Sequence, residues 1–161
     1  MSTEQPRQVG GVAFLLSQLG AHATGRFAAR AAELDLTPPQ AGLLRMLAAV
    51  PGRSQRELAD GLGMPPSRFV PFADELEARG LIERRKNPED RRLHALYLTD
   101  RGLELLGELR KVGAAHEKDV CQALTAPEQR QLAELLRRVA DQQGLVPGVH
   151  PGYRDQAPAR G

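Results

Sequence analysis

Four histidines, a lone cysteine and a group of arginines are the side chains whose types could do chemistry in this chain. His22, His94, His116 and His150 are scattered, and none completes an HExxH or another close metal-ligand spacing. Cys121 has no second cysteine to pair with, which excludes an internal disulfide and a cysteine-based zinc cage. His116 precedes it by five residues. At 3.6 residues per turn that is about 140° around a helix, so the two do not face each other as base and nucleophile would. The sequence therefore offers no catalytic residue, no metal site and no cofactor site.

The arginines are more informative. The stretch NPEDRRLHALYLTDRG, residues 87–102, joins a turn to an alternating apolar run and puts Arg91 and Arg92 at the tip of a hairpin. Arg84, Arg85 and Lys86 lie on the same hairpin. Charges at a hairpin tip do little for a core, but they suit a polyanion. A narrow DNA minor groove concentrates negative potential, and a guanidinium is weakly hydrated enough to enter it. The plain alternative is a solvated rim in which these cations pair with Glu83, Glu89 and Asp90.

Composition limits the partners less than this grouping does. The 161 residues suffice for one ordinary domain or a domain with a helical extension. There are 22 basic and 20 acidic residues, a net charge of +2, so only clustering could make a polyanion site. No apolar run approaches the roughly 20 residues of a membrane span. The MSTEQPRQ start lacks the basic and apolar segments of a signal peptide, and a cytoplasmic protein is the expectation.

The elements that must position the arginines are well punctuated. Thr37-Pro38-Pro39-Gln40, Ser54-Gln55-Arg56-Glu57 and Thr125-Ala126-Pro127-Glu128 are capping boxes, each opening a helix. The spacing predicts a first helix over 9–34, with Val12, Leu16, Leu19, Ala23 and Phe27 on one stripe. Its length suits a bundle or a dimer interface. A second helix over 38–50 buries Leu43, Leu44 and Leu47. A third over 55–62 buries Leu58 and Leu62 and stops at Gly63. A fourth opens at Pro65-Pro66 and ends before Gly80, with Phe69, Ala73 and Leu76 inward. Strands over 81–85 and 93–98 follow, joined by the turn Asn87-Pro88-Glu89-Asp90. Thr99 caps a fifth helix reaching 124, and a sixth over 126–143 holds Leu132, Leu135, Leu136 and Val139 inside. Residues 144–161 are rich in Gly and Pro and read as a loose tail. The fold class is mainly α with a small β-hairpin wing, α+β. Its parts are an N-terminal helix over 9–34, a winged helix-turn-helix over 35–100 and two C-terminal helices over 101–143.

From the LTPPQ opening through ELADGLG and LEARGLIERR to NPEDRRLHALYLTDRG, residues 35–103 resemble the MarR family of bacterial transcription regulators. The Asp-Arg-Arg tip followed by an alternating strand and Leu-Thr-x-x-Gly carries the resemblance. It implies a homodimer whose first, fifth and sixth helices form the dimer layer, reading near-palindromic double-stranded DNA. It implies that Arg92 probes the minor groove, that Asp90 organises the tip and that Arg91 meets phosphate. Pro66, Ser67, Arg68 and Val70 would face the major groove, and Ser54 and Gln55 a phosphate. Val70-Pro71 departs from the Ser-Arg that relatives often carry there. Proline lacks an N–H, so either the helix kinks or its regular part starts at Pro71.

The resemblance also implies a small, often aromatic, anionic ligand in a crevice between the dimer layer and the winged domain. His22 and Arg26 would supply polar contacts there, and Leu43, Leu47 and Leu103 apolar walls. The peroxide-sensing cysteine that some relatives carry in the first helix is absent. The expectation is a non-enzymatic, ligand-released repressor. Its rivals are an interaction module of the same fold that has lost DNA reading, and a small-molecule enzyme in the crevice.

Overall fold

The computed structural model describes residues 10–87, 89–90 and 92–154. Val9, Pro88, Arg91 and residues 155–161, all named in the expectations above, lie outside them. The order of elements is α1 (Val12–Ala32), α2 (Pro38–Ala49), β1 (Arg53–Ser54), α3 (Gln55–Leu62), α4 (Pro66–Ala78), β2 (Ile82–Lys86), β3 (His94–Leu98), α5 (Asp100–Val120) and α6 (Ala126–Gln142), then a 3-10 turn, Pro151–Arg154.

All three capping boxes form. Thr37, Ser54 and Thr125 each accept a hydrogen bond from the backbone N–H three residues on, and Gln40, Glu57 and Glu128 reach back to the cap. Gly63 takes the left-handed conformation (φ 65°, ψ 26°) that ends α3. The first helix begins at Val12 rather than residue 9, after two glycines with no capping side chain.

The sheet has three strands, where two were expected, in the order β1-β3-β2, all antiparallel. Arg53 and Ser54 pair with Leu96 and Ala95, and Gly52 N–H donates to Leu96 C=O at 3.0 Å. Gly52 has φ +80°, and a Cβ there would stand 2.7 Å from the Tyr97 hydroxyl, so only glycine lets this turn close on the wing.

One core runs through α2, α3, α4 and the sheet. Leu43, Leu44, Leu47, Leu58, Leu62, Phe69, Leu76, Ile82 and Leu96 are fully buried in it, joined by Leu106 from α5. Each such side chain contributes about 1.5–3 kcal/mol of burial. Gln40 is buried too, and its amide bridges α2 to Glu75 of α4 at 3.2 Å.

The outer helices differ. Ala31 is the buried residue of α1, and α6 has none. Leu132, Leu135, Leu136 and Val139 are 39–46% exposed, although their spacing reads as inward. Val12, Phe14, Leu15, Leu16 and Leu19 of α1 are exposed with them. Helical spacing shows which face is apolar, not whether its cover comes from the same chain. Among the described residues, no helix is long and apolar enough to cross a membrane.

Candidate nucleic-acid interface and adjoining crevice

Helices α3 and α4 meet through Gly63-Met64-Pro65, and Met64 N–H closes on Ala59 C=O at 2.9 Å. Phe69 is 1% exposed and anchors α4. Its burial turns Pro66, Ser67 and Val70 outward, with Arg68 half-buried beside them. Pro71 is exposed and lies within a continuous helix, so the start of regular structure at Pro71 is not what forms. Its missing N–H deprives the Ser67 carbonyl of its helical donor on the outward face, where solvent can supply one.

The wing stands beside this helix. Asp90 accepts hydrogen bonds from the Arg92 backbone N–H at 3.0 Å and from its guanidinium Nε at 3.3 Å. Asn87 accepts from the Glu89 N–H, and Asn87 N–H donates to Leu93 C=O. The tip is thus held by its own side chains, while the Arg92 side chain remains 91% exposed. Between α3, α4 and the wing lies a concavity of about 540 Å³, lined among others by Ser54, Gln55, Pro66, Val70 and Arg92. Residues far apart in sequence therefore share one surface.

Arg84 does not belong to that surface. Its side chain is 14% exposed and pairs with Asp74 at 2.7 Å and with Glu77, both on α4, while its Nε donates to Gln55 Oε1 at 2.9 Å. Strand alternation is the reason. Ile82 and Arg84 share the face packed on α4, and Glu83 and Arg85 share the other. The period is readable in ERRK, and it separates Arg84 from Arg85, which the grouping of the three cations as one patch does not. Arg84 braces the wing against the helix. Arg85 is exposed, lies 4.4 Å over the Tyr97 ring and is paired with Glu83, and Lys86 is exposed. The salt-bridged rim is therefore real for Arg85 and Arg92, and it leaves both guanidinium groups at the surface.

Ser54 is also engaged. Its hydroxyl donates to Glu57 Oε2 at 2.9 Å and accepts the Glu57 N–H at 3.2 Å. The Ser54 backbone N–H, then its hydroxyl, hold the Glu57 carboxyl below the usual carboxylate range.

A second concavity, about 550 Å³, opens between α1, α2, α5 and the C-terminal segment. Thr24, Phe27, Arg45, His116, His150 and Tyr153 are among its walls. None of the five expected contacts lines it. Leu43 and Leu47 are sealed in the core, and Leu103 is 52% exposed away from it. His22 is exposed on α1, and Arg26 turns to Asp119 on α5 at 2.5 Å, which Arg30 also reaches at 3.1 Å. On α1 and α2 the walls include Ala23, Thr24, Phe27 and Arg45, one or two positions from His22, Arg26, Leu43 and Leu47, so the neighbours of the expected residues face the concavity and they do not. His116 carries a buried Nδ1 with no hydrogen-bond partner among the described residues, and its ring lies 5.6 Å from Phe27. Burial, then the nearby Arg30, lower its pKa. Arg45 stands 5.8 Å over the Phe27 ring. Periodicity could have placed His116 near Phe27 only with the packing of α1 on α5 in hand. Cys121 caps α5, and burial, then Glu117, push its thiol pKa up, which keeps it a thiol.

Among the described residues, six helices, a three-stranded wing sheet and a braced helix-turn-helix make this a winged helix-turn-helix protein. The chain belongs to the MarR family and is a transcriptional regulator of that kind. The MarR family model matches residues 34–93. The chain is 32% identical over 126 residues to the HTH-type transcriptional repressor Rv2887 of Mycobacterium tuberculosis, spanning 78% of this chain and 91% of that one. It is similar in structure to the transcriptional repressor CouR bound to a 23-mer DNA duplex, with TM-score 0.74, 33% identity and coverage of 87% and 99% of the two chains. CouR bound to p-coumaroyl-CoA superposes with TM-score 0.67 at 33% identity, covering 81% and 91%.

Proposed function

We propose that two copies of this chain form a repressor that binds a near-palindromic operator and leaves it when a small molecule fills the crevice. The observation that carries this reading is the shared concavity of α3, α4 and the wing, with Arg92 at its edge. In it, α4 enters the major groove with Pro66, Ser67, Arg68 and Val70. Arg68 reads a guanine edge, a contact worth about 1–3 kcal/mol of discrimination. The wing places Arg92 in the minor groove, oriented by Asp90, with Arg91, Arg85 and Lys86 toward phosphate. Gln55 and the backbone at Ser54 meet phosphate at the start of α3.

The apolar faces of α1 and α6 are covered by the second copy, which sets the two recognition helices about 34–36 Å apart. A ligand that favours another spacing lowers operator affinity by its difference in affinity between the two states. The crevice suits such a ligand, with Arg45 for an anion and Phe27 for a ring. The relatives are regulators, and the chain does no catalysis in this reading. A regulator of this kind works in the cytoplasm.

Selection of bound sequences from a random duplex pool tests the proposal. The expected result is a two-fold symmetric motif whose affinity falls with salt by about 0.9 logarithmic units per neutralised phosphate. An asymmetric motif, or salt-insensitive absence of binding, overturns it.

A further inference from the structure

Residues 144–154 do not hang loose as their composition suggests. Beyond α6, Gly144 and Gly148 turn the chain, and Pro151–Arg154 coils against α1 and α2. Tyr153 is 5% exposed and joins the core. Its ring lies on α2 at Gly42, where an added Cβ would stand 3.1 Å from Cε2 and 3.4 Å from a Leu62 methyl. Arg45 Nη2 donates to the phenol oxygen at 3.3 Å. His150 Nδ1 accepts the Gly152 N–H at 3.0 Å, so the neutral ring carries its proton on Nε2, 3.4 Å from Thr24 Oγ1 on α1.

The place that holds Tyr153 has the parts of a phenol site. It has a flat floor without a Cβ, an apolar neighbour and a cationic donor at the oxygen. It opens into the 550 Å³ crevice, whose wall includes Val149, His150 and Tyr153. The segment that brings the ring is otherwise half-buried or exposed, with no described helix or strand beyond its 3-10 turn. Among the described residues, its side-chain hydrogen bonds to the rest of the chain are those to Thr24 and Arg45. When such a segment leaves, Tyr153 uncovers Gly42 and Leu62 on α2 and α3, while the packing among α2, α3, α4 and the sheet stays.

We infer that Tyr153 is an intramolecular competitor. It occupies the position that the ring of a phenolic effector takes, and effector binding undocks the C-terminal segment. This rests on the reading of the crevice as the effector site. Undocking also breaks a strap between Thr24 on α1 and Arg45 on α2, the junction of the outer helices with the reading head.

The test uses 4-methylphenol, the tyrosine side chain as a free molecule, with full-length wild-type and Tyr153→Ala proteins in titration calorimetry. A strap docked nine-tenths of the time lowers apparent affinity about tenfold, so Tyr153→Ala binds about tenfold tighter. Equal affinities, weaker binding or no binding to the variant overturns the inference. Should Tyr153→Ala fail to fold, a second measurement decides. With Tyr97→Phe, Tyr153 is the remaining tyrosine of the two, and 3-fluorotyrosine labelling gives it a single fluorine resonance. Addition of 4-methylphenol moves that resonance to its free-chain position; a resonance that stays put overturns the competition. If the resonance moves while operator affinity is unchanged, the competition stands and the effector reading falls.

Discussion

The reading head and the outer helices are built on opposite plans. In the reading head, α2, α3, α4 and the sheet bury one another's apolar faces, and Arg84 ties the wing to α4 and α3 at once. On α1 and α6 the apolar stripes are as regular, yet Leu19, Leu132, Leu135 and Val139 stay exposed. Large apolar side chains left exposed in a stripe mark an interaction surface. The difference teaches that the helix-turn-helix and its wing are completed within one chain, while the apolar stripes of α1 and α6 are left uncovered by it.

Four experiments can break or sharpen that contrast. Phe69→Ala should have the largest effect, a loss of about 3–5 kcal/mol of stability in denaturant unfolding, because a fully buried ring leaves a cavity. A loss below 1 kcal/mol would mean that the head is not self-packed. Leu135→Glu with Val139→Glu should yield monomers in sedimentation while near-native helix content remains. Operator affinity should fall about 100-fold as two linked half-sites become one. An intact dimer would remove α6 from the interface.

Arg84→Met and Arg92→Ala separate brace from probe. Arg84→Met strands Asp74 and Glu77 and should cost about 1–2 kcal/mol of stability, the partners' exposure tempering the loss. Arg92→Ala should leave the unfolding midpoint unchanged, because its side chain is 91% exposed, and reduce the salt slope of DNA binding by about 1. The reverse pattern would exchange the two roles. The smallest effect concerns pH. The Glu57 and Glu128 pKa values are lowered in the folded chain by their caps, so the unfolded chain binds more protons. Their contribution is full above the ordinary carboxylate range and fades as pH falls through the folded values. His116, also lowered, adds a loss that begins as pH drops below its ordinary value near 6.5. Stability from urea curves that does not decline between about pH 7 and pH 5 would contradict the histidine effect, and a flat course from about pH 5 to pH 3 would contradict the carboxylate effect.

Much of the head was legible because its signals are short-range. A cap and its Gln or Glu are three residues apart, Gly63 ends its own helix, and the turn after β2 is held by Asn87 and Asp90. The wing pattern and the inward Phe69 followed from period alone. Arg84 departs from the expected basic patch, because strand alternation turns it inward to Asp74 and Glu77. Arg53-Ser54 gave no warning of β1, since its partner Leu96 lies more than forty residues on. The crevice lining was missed because it depends on how α1, α2 and α5 cross.

The order of local structures here is a property of the sequence, because caps, turns and periodicity act over a few residues and need no partner. Which faces are covered, which arginine is a brace, and where Tyr153 comes to rest depend on surfaces meeting from distant parts of the chain. Only tertiary packing brings Gly42, Arg45 and Tyr153 to one place, and no spacing rule links residues more than a hundred positions apart.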